Sequence, residues 1–271
     1  MHAASSATNA PWHKARRHLR VSATVLVVLS TLLQALALLG VLPLSNRASQ
    51  LAFGSVEMVL IVLLAANAWR TQRWLRTHSS SPRIRSTATL CAVSLSICVL
   101  GDLVNRNYFD QQFARDTVIR HSYLADSVWF FLPGYALVIV AVWRIARTVI
   151  GVAPLLTSAF VAGLVGVLSD LGMRPAGTGA YVTAMTAAYS IPITIVGVSA
   201  LWLLASMGWR RAALPALGLV LATAADALIG NFWLFRDGYF PAISHINWIV
   251  YFVSQAMIQQ LPWALSDADA K

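Results

Sequence analysis

Charged residues are scarce in this chain. Of its 271 residues only 11% are charged, whereas a soluble domain carries about 25%, and 58% are hydrophobic. Acidic residues are the rarer kind, 10 against 20 basic ones, and the mean hydropathy is +0.67. This composition excludes an ordinary soluble domain and predicts an integral membrane protein. The net charge of +10 is therefore not a nucleic-acid signal, because the basic residues of membrane proteins gather in loops.

The sequence also lacks the common motifs of metal and nucleotide chemistry. It contains no HExxH, CxxC, GxSxG or P-loop pattern, and its six histidines show no metal-ligand spacing. We therefore expect neither a metal nor a cofactor. The only cysteines, Cys91 and Cys98, lie on one face of one apolar run, so we interpret them as small packing residues and not as a disulfide.

Long apolar runs dominate what is present. Eight of them can cross a hydrocarbon core about 30 Å thick. Because the loops are short, we predict an all-α, polytopic membrane helix bundle of about eight transmembrane helices. A single bundle over 21–264 would lie between a basic tail, 1–20, and a short tail, 265–271. The predicted spans are 21–42, 51–69, 87–104, 126–147, 150–170, 179–204, 212–235 and 245–264.

Lysine and arginine predict the orientation. Most of them fall in the N-terminal arm and in the loops that share its side of the membrane, so we expect both termini in the cytoplasm and the protein in a bacterial inner (cell) membrane. The first run, with "ALA" at 35–37, could instead be a signal peptide. It is longer than a usual signal core, and its removal would spoil the charge asymmetry, so we expect it to be retained.

Two short segments look like one pattern written twice: "GDLVNRNYF" from Gly101 and "ADALIGNFW" from Ala225. Each has a small residue, Asp, apolar residues, Asn and two aromatic residues at the end of an apolar run. Asp102 and Asp226 fall at similar depth in spans three and seven, which run in the same direction. The offset of about half the chain suggests a 4+4 internal duplication.

A carboxylate deep in a membrane costs roughly 2.5–3.5 kcal/mol on insertion scales, so such residues usually face the bundle interior and have a function or a specific polar contact. Arg106 lies one turn after Asp102 and should keep it ionised, whereas Asp226 has Ile229 and Gly230 at the matching positions. An ionised carboxylate facing a protonated one suits acid catalysis. The alternative is an Asp102–Arg106 surface pair and a structural Asp226.

Other polar residues have simpler interpretations. Asn107 and Asn231 lie about 140° around the helix from each Asp, so we expect them to finish the helices beside an aromatic belt. Among the remaining acids, Glu57 is near the start of span two, Asp126 starts span four, where a carboxylate favours the helix N-terminus, and Asp170 ends span five.

The last span carries a polar row: Trp248, Tyr251, Gln255 and Gln259 share one helix face. It could face the two carboxylates, or it could serve helix–helix packing.

Several of these segments together resemble the lysoplasmalogenase-like (YhhN-type) family of eight-span membrane enzymes. The resemblance is carried by "LGDLVNRNYF", "FFLPGYALVIVAV" (130–142), Tyr189, "ADALIGNFWLF" and "IVYFVSQAMI" (249–258). The chain departs from the family pattern at three places: Tyr135 stands for a His, Ala225 for a Ser, and Ser254 for an Ala. A Lys-Pro step of span two is also missing.

The resemblance implies hydrolysis of the vinyl-ether bond of lysoplasmalogens, which are lysophospholipids, to a fatty aldehyde and a glycerophospho-headgroup. Asp226 would be the acid, and Asp102 would stabilise the oxocarbenium ion and act as base. The partners would be this substrate and membrane lipid, with no nucleic acid. The expected substrate-binding residues are Tyr251, Gln255, Tyr135 and Tyr189.

Two other functions remain open at this point. The segments around 122–147 and 237–266 also look like the multispan sensory modules that precede diguanylate cyclase domains. In that case Asp126 and Trp248 would be the more important residues, and Asp102 and Asp226 would be structural or would sense a ligand. We expect no output domain, since only a short tail follows the last predicted span. A small transporter is the third possibility, because membrane carboxylates also relay protons.

Overall fold

The computed structural model describes residues 10–106, 108, 123–231 and 241–269. Over these residues the chain forms nine helices and no strand. The helices are α1 (Ala10–Leu38), α2 (Arg47–His78), α3 (Pro82–Asn105), α4 (Tyr123–Ala146), α5 (Val152–Met173), α6 (Ala180–Met207), α7 (Trp209–Ile229), α8 (Pro241–Ile258) and α9 (Leu261–Asp269).

The predicted all-α membrane bundle is confirmed. Seven helices, α1 to α7, are long and apolar enough to cross a membrane. The eighth, α8, has 18 residues and rises about 27 Å at 1.5 Å per residue, close to the thickness of a hydrocarbon core. Many large apolar side chains point outward, as on Phe160 and Leu164 of α5, where lipid would cover them.

The helix ends differ from the predicted spans at both ends of the chain. The helix α1 begins at Ala10, so half of the predicted basic tail is helical. The predicted span 245–264 is broken by a turn at residues 259–260, and α9 then continues to Asp269 through most of the predicted C-terminal tail. Hydropathy does not detect this break, because the residues on both sides of the turn are buried in the bundle.

The order of packing repeats in the two halves of the chain. The most extensive contacts join the third and fourth helices of each half, α3 to α4 and α7 to α8. The second and third helices of each half, α2 and α3 or α6 and α7, also pack together. The first helix of each half is peripheral: only 17% of the apolar window of α1 and 22% of that of α5 is buried, against 50% for α3. The halves differ where α4 packs on α6 whereas α8 packs on α1. The internal duplication stays a prediction that this packing favours.

Two glycines allow close packing of the helix pairs that have the most extensive contacts. A Cβ atom on Gly134 of α4 would lie 2.6 Å from the sulfur of Cys98, and Ser94 Oγ donates to the Gly134 carbonyl at 2.7 Å. A Cβ atom on Gly218 of α7 would lie 2.9 Å from the backbone nitrogen of Ile258 in α8. Small residues at these crossings bring α3 against α4 and α7 against α8, and so position both carboxylate-bearing helices.

Candidate active site

A polar cavity of about 400 Å³ lies at the end of the bundle where α1, α3 and α7 end and α2, α4 and α8 begin. This size is within the range of about 300–1,000 Å³ that is usual for small-molecule sites. Both predicted carboxylates line it. The residues that line the cavity are Leu44, Arg47, Gln50, Leu51, Phe53, Gly54, Glu57, Asp102, Asn105, Arg106, Tyr108, Phe131, Ala225, Asp226, Ile229, Ser244, His245, Asn247, Trp248 and Tyr251.

Asp102 is held by the last helix. It lies in the final turn of α3 and is 3% exposed. Tyr251 of α8 donates a hydrogen bond from its hydroxyl to Asp102 Oδ2 at 2.8 Å. The preceding residue, Gly101, packs against the ring of Phe131, where a Cβ atom would lie only 2.8 Å from the ring edge. The predicted site role of Tyr251 thus has a structural basis, because its hydroxyl fixes one oxygen of this carboxylate.

Among the described residues Arg106 forms no salt bridge with Asp102, and the alternative of an Asp102–Arg106 surface pair is wrong, because Asp102 is 3% exposed. The guanidinium of Arg106 forms a salt bridge with Glu57 of α2, and it lies 4.3 Å from the ring centroid of Trp248. Glu57 is only 1% exposed, so a nearby cation offsets much of the cost of burying it. Helix spacing places Arg106 one turn from Asp102, but the packing of α2 against α3 gives it a better-buried partner.

Asp226 has different surroundings. The phenol groups of Tyr135 in α4 and Tyr189 in α6 lie beside it. Both phenols are close enough to act as donors to the carboxylate, but Asp226 Oδ2 and the two phenol oxygens are buried and make no hydrogen bond of standard geometry among the described residues. Three buried polar atoms without partners are costly, so this corner is suited to a ligand or a water molecule that bonds to them.

An aromatic cluster connects the two carboxylates. The ring of Phe131 lies 6.1 Å from that of Tyr251, 6.4 Å from that of Tyr135 and 6.5 Å from that of Tyr189, measured between centroids. The rings of Tyr135 and Tyr189 are 6.2 Å apart. The three predicted tyrosines and the two predicted carboxylates therefore belong to one site, and Phe131, which the sequence did not single out, lies at its centre.

A second cavity, of about 200 Å³, adjoins the first between α4, α5, α6 and α7. Its open surface is mainly apolar, although half of its lining residues, Asp170 among them, have polar side chains. The two cavities share Asn105, Phe131, Asp226 and Ile229. Asp226 is therefore the carboxylate at the boundary between a polar and an apolar compartment.

The remaining residues of the polar row in α8 do not all reach the cavity. Gln255 is buried and its Nε2 has no hydrogen-bond partner among the described residues, but it is not part of the cavity lining. Gln259 donates to the Cys91 carbonyl of α3 at 3.1 Å, which is the helix–helix packing alternative. Trp248 lines the cavity and donates to Ser30 Oγ of α1 at 3.2 Å.

Most of the described asparagines and acids outside the polar cavity make structural contacts, as the sequence predicted. Asn231 donates to the Ala227 carbonyl at 2.8 Å and so finishes α7, whereas Asn107 and three of the four aromatic-belt residues lie outside the described part of the chain. Asp126 lies in the first turn of α4 and accepts a hydrogen bond from Tyr181. Asp170 is inside α5 and pairs with Arg174. Cys91 and Cys98 are free and buried.

The sequence pattern did not predict that Glu57 belongs to the site, yet this residue lines the cavity and pairs with Arg106. It lies in an apolar stretch, "GSVEMVL", so the same insertion cost that pointed to Asp102 could have pointed to it. His245 of α8 also lines the cavity, and its Nδ1 donates a hydrogen bond to Gln34 Oε1 of α1 at 2.6 Å. The sequence could not indicate this hydrogen bond, because Gln34 is over 200 positions away from His245.

Among the described residues no group of three or more His, Cys, Asp or Glu side chains could hold a metal ion. Comparison with known protein families, curated proteins and solved structures finds no match for this chain. Its function therefore has to be inferred from the site itself.

Proposed function

We propose that the protein is a membrane hydrolase that cleaves the vinyl-ether bond of lysoplasmalogens by carboxylate acid–base catalysis. The observation that carries the proposal is that Asp102 and Asp226, from corresponding positions of α3 and α7, line one cavity in different surroundings. Paired carboxyl groups with distinct environments are the usual means of stabilising an oxocarbenium-like transition state.

Asp226 acts as the acid. Its Oδ2 has no hydrogen-bond partner among the described residues, so a proton there can reach the substrate. Transfer of that proton to the β-carbon of the vinyl ether uses the π electrons of the double bond to form a C–H bond. An oxocarbenium ion results, and Asp226 is left ionised.

Asp102 acts as the stabilising group and the base. Fixed by Tyr251, its carboxylate faces the cation and accepts a proton from the water that adds to the cationic carbon. The resulting hemiacetal loses its bond to the glycerol oxygen, which takes the proton from Asp102. The hemiacetal hydroxyl returns its proton to Asp226, and the products are a fatty aldehyde and a free alcohol on the headgroup.

The mouth of the polar cavity has groups that suit a phosphate-containing headgroup. Arg47 lines it at the start of α2, and the Arg106 guanidinium, paired with Glu57, adds a second cation in the same wall. With both termini in the cytoplasm, as the arginine distribution predicts, this mouth faces the outer side of a bacterial inner membrane. Tyr135, which stands where the resembled family has a histidine, lies beside Asp226, where a phenol can orient the acid or the vinyl ether.

The proposal is tested with purified protein in detergent. Aldehyde release is measured from a lysoplasmalogen and from the ester-linked lysophospholipid of the same headgroup and chain length, for the wild type and for Asp226→Asn. We expect aldehyde from the vinyl ether only, and its loss in the variant, because an amide cannot donate the catalytic proton.

A folded wild type that releases no aldehyde would overturn the proposal. The second candidate, a ligand-binding sensory module, would then be preferred. It is favoured by the cation–aromatic pair of Arg106 and Trp248 in the cavity wall, an arrangement that suits ligand recognition without chemistry. Saturable binding of the lysophospholipid without turnover would support that alternative.

A further inference from the structure

The neighbouring cavities differ in polarity. The larger contains charged side chains of α2, α3 and α7. The smaller lies between α4, α5, α6 and α7, and its open surface is mainly apolar although half of its lining residues are polar; Asp170, the other carboxylate there, is paired with Arg174. Only the boundary residues belong to both, and the single carboxyl group among these is that of Asp226.

This arrangement suits an amphiphilic substrate whose scissile bond lies between its hydrocarbon chain and its polar headgroup. The vinyl-ether bond of a lysoplasmalogen lies between the hydrocarbon chain and the polar glycerophosphate. If Asp226 protonates that bond, the chain and the headgroup must extend from it in opposite directions. Burial of polar groups in an apolar cavity is costly, whereas burial of methylene groups there is favourable. The hydrocarbon chain should therefore extend into the apolar cavity and the headgroup into the polar one.

We infer that the cavity of about 200 Å³ between α4, α5, α6 and α7 binds the hydrocarbon chain of the substrate, and that Ile193 in its wall limits the chain length accepted. This inference rests on the proposed function for the identity of the ligand. The remaining wall residues that argue for a chain site are Leu124, Val128, Phe131, Met173 and Ile229.

Ile193 is suited to this role by its fixed position. It is 8% exposed, and its carbonyl accepts a hydrogen bond from Thr223 Oγ1 of α7 at 2.9 Å. The backbone of α6 is therefore anchored to α7 at the cavity wall, and a change of side-chain volume at this position alters the cavity more than it alters the helix packing.

Photo-crosslinking tests the location of the chain without requiring turnover. The probe is an ester-linked lysophosphatidylcholine with a diazirine at the end of its chain, bound to wild-type protein and mapped by mass spectrometry with and without an excess of unlabelled lysophosphatidylcholine. We expect competed labelling at buried cavity residues such as Val128 and Leu124. Labelling of the outward-facing residues of α1, such as Val25, should not be competed.

Variants of one residue test the chain-length limit. Ile193→Trp fills the cavity and should reduce competed labelling at least tenfold, whereas Leu201→Trp, on the lipid-facing side of the same helix at 65% exposure, should leave it unchanged. Ile193→Ala enlarges the cavity. Aldehyde release is then measured for substrates of increasing chain length. The kcat/KM of Ile193→Ala, divided by that of the wild type, should increase as the chain becomes longer, by up to about fourfold for each additional buried methylene.

The two proposals fail in distinguishable ways. Competed labelling confined to the polar cavity or to the lipid-facing surface would overturn the inference even if aldehyde were released. Competed labelling in the apolar cavity without aldehyde release would overturn the enzymatic proposal and leave the chain site in place. If Ile193→Trp does not fold, as judged by gel filtration, the wild-type map and Ile193→Ala still decide the question.

Discussion

Asp102 and Asp226 occupy matching places in their helices but not matching environments. Asp102 accepts a hydrogen bond from Tyr251 at 2.8 Å and lies near the Glu57–Arg106 salt bridge, which the polar cavity also includes. Asp226 lies between two phenols and has an oxygen without a partner, at the border of the apolar cavity. The difference shows that two similar sequence segments can have different surroundings, because other helices supply the neighbours of each segment.

The largest expected effect on catalysis comes from replacing Asp226. We predict that Asp226→Asn lowers kcat for vinyl-ether hydrolysis by roughly 10²–10⁴-fold, because the acid is lost while the side-chain shape is kept. Steady-state aldehyde release, with thermal unfolding as a control for folding, measures this. A kcat within a few-fold of the wild type would remove the catalytic distinction between the two carboxylates.

Replacement of the other carboxylate should cost less. We predict that Asp102→Asn lowers kcat roughly 10²-fold through loss of the charge that stabilises the cation, while Tyr251 can still donate to the amide oxygen. The double variant should be little worse than Asp226→Asn alone, because residues that act as one unit are not additive. Multiplicative effects would show instead that the two groups work independently.

The two sides should also differ in stability. Tyr251→Phe removes the hydrogen bond to the buried Asp102, so we predict that it lowers the free energy of unfolding in detergent by about 1–3 kcal/mol. Unfolding followed by circular dichroism is the measurement. An unchanged stability would mean that this hydrogen bond is not needed to compensate the burial of Asp102.

The smallest effect is expected for the matched change beside Asp226. Tyr189→Phe removes a buried phenol oxygen that lies near Asp226 and makes no hydrogen bond of standard geometry among the described residues, so the free energy of unfolding should change by no more than about 0.5 kcal/mol. The same unfolding experiment applies. A loss as large as that of Tyr251→Phe would show that Tyr189 bonds to Asp226 in the folded protein and would erase the contrast between the two sites.

Part of the site could be predicted because membrane burial leaves a strong trace in sequence. A carboxylate in an apolar run is costly wherever it lies, so Asp102 and Asp226 could be found without knowledge of their neighbours. Tyr251 could be found because it lies on the polar face of a predicted helix. Gln255, on the same face, lies outside the cavity lining, because only the beginning of α8 reaches the cavity.

The sequence by itself determined the all-α membrane bundle, its approximate spans and the two buried acids, because hydropathy and helix period are local properties of the chain. Only the tertiary structure decided that Arg106 pairs with Glu57 and not with Asp102, and that Asp226 lies where a polar cavity meets an apolar one. Those outcomes depend on which helices pack together. Contacts such as that of Gly218 with α8 set the packing between segments far apart in the chain, and neither periodicity nor spacing records it.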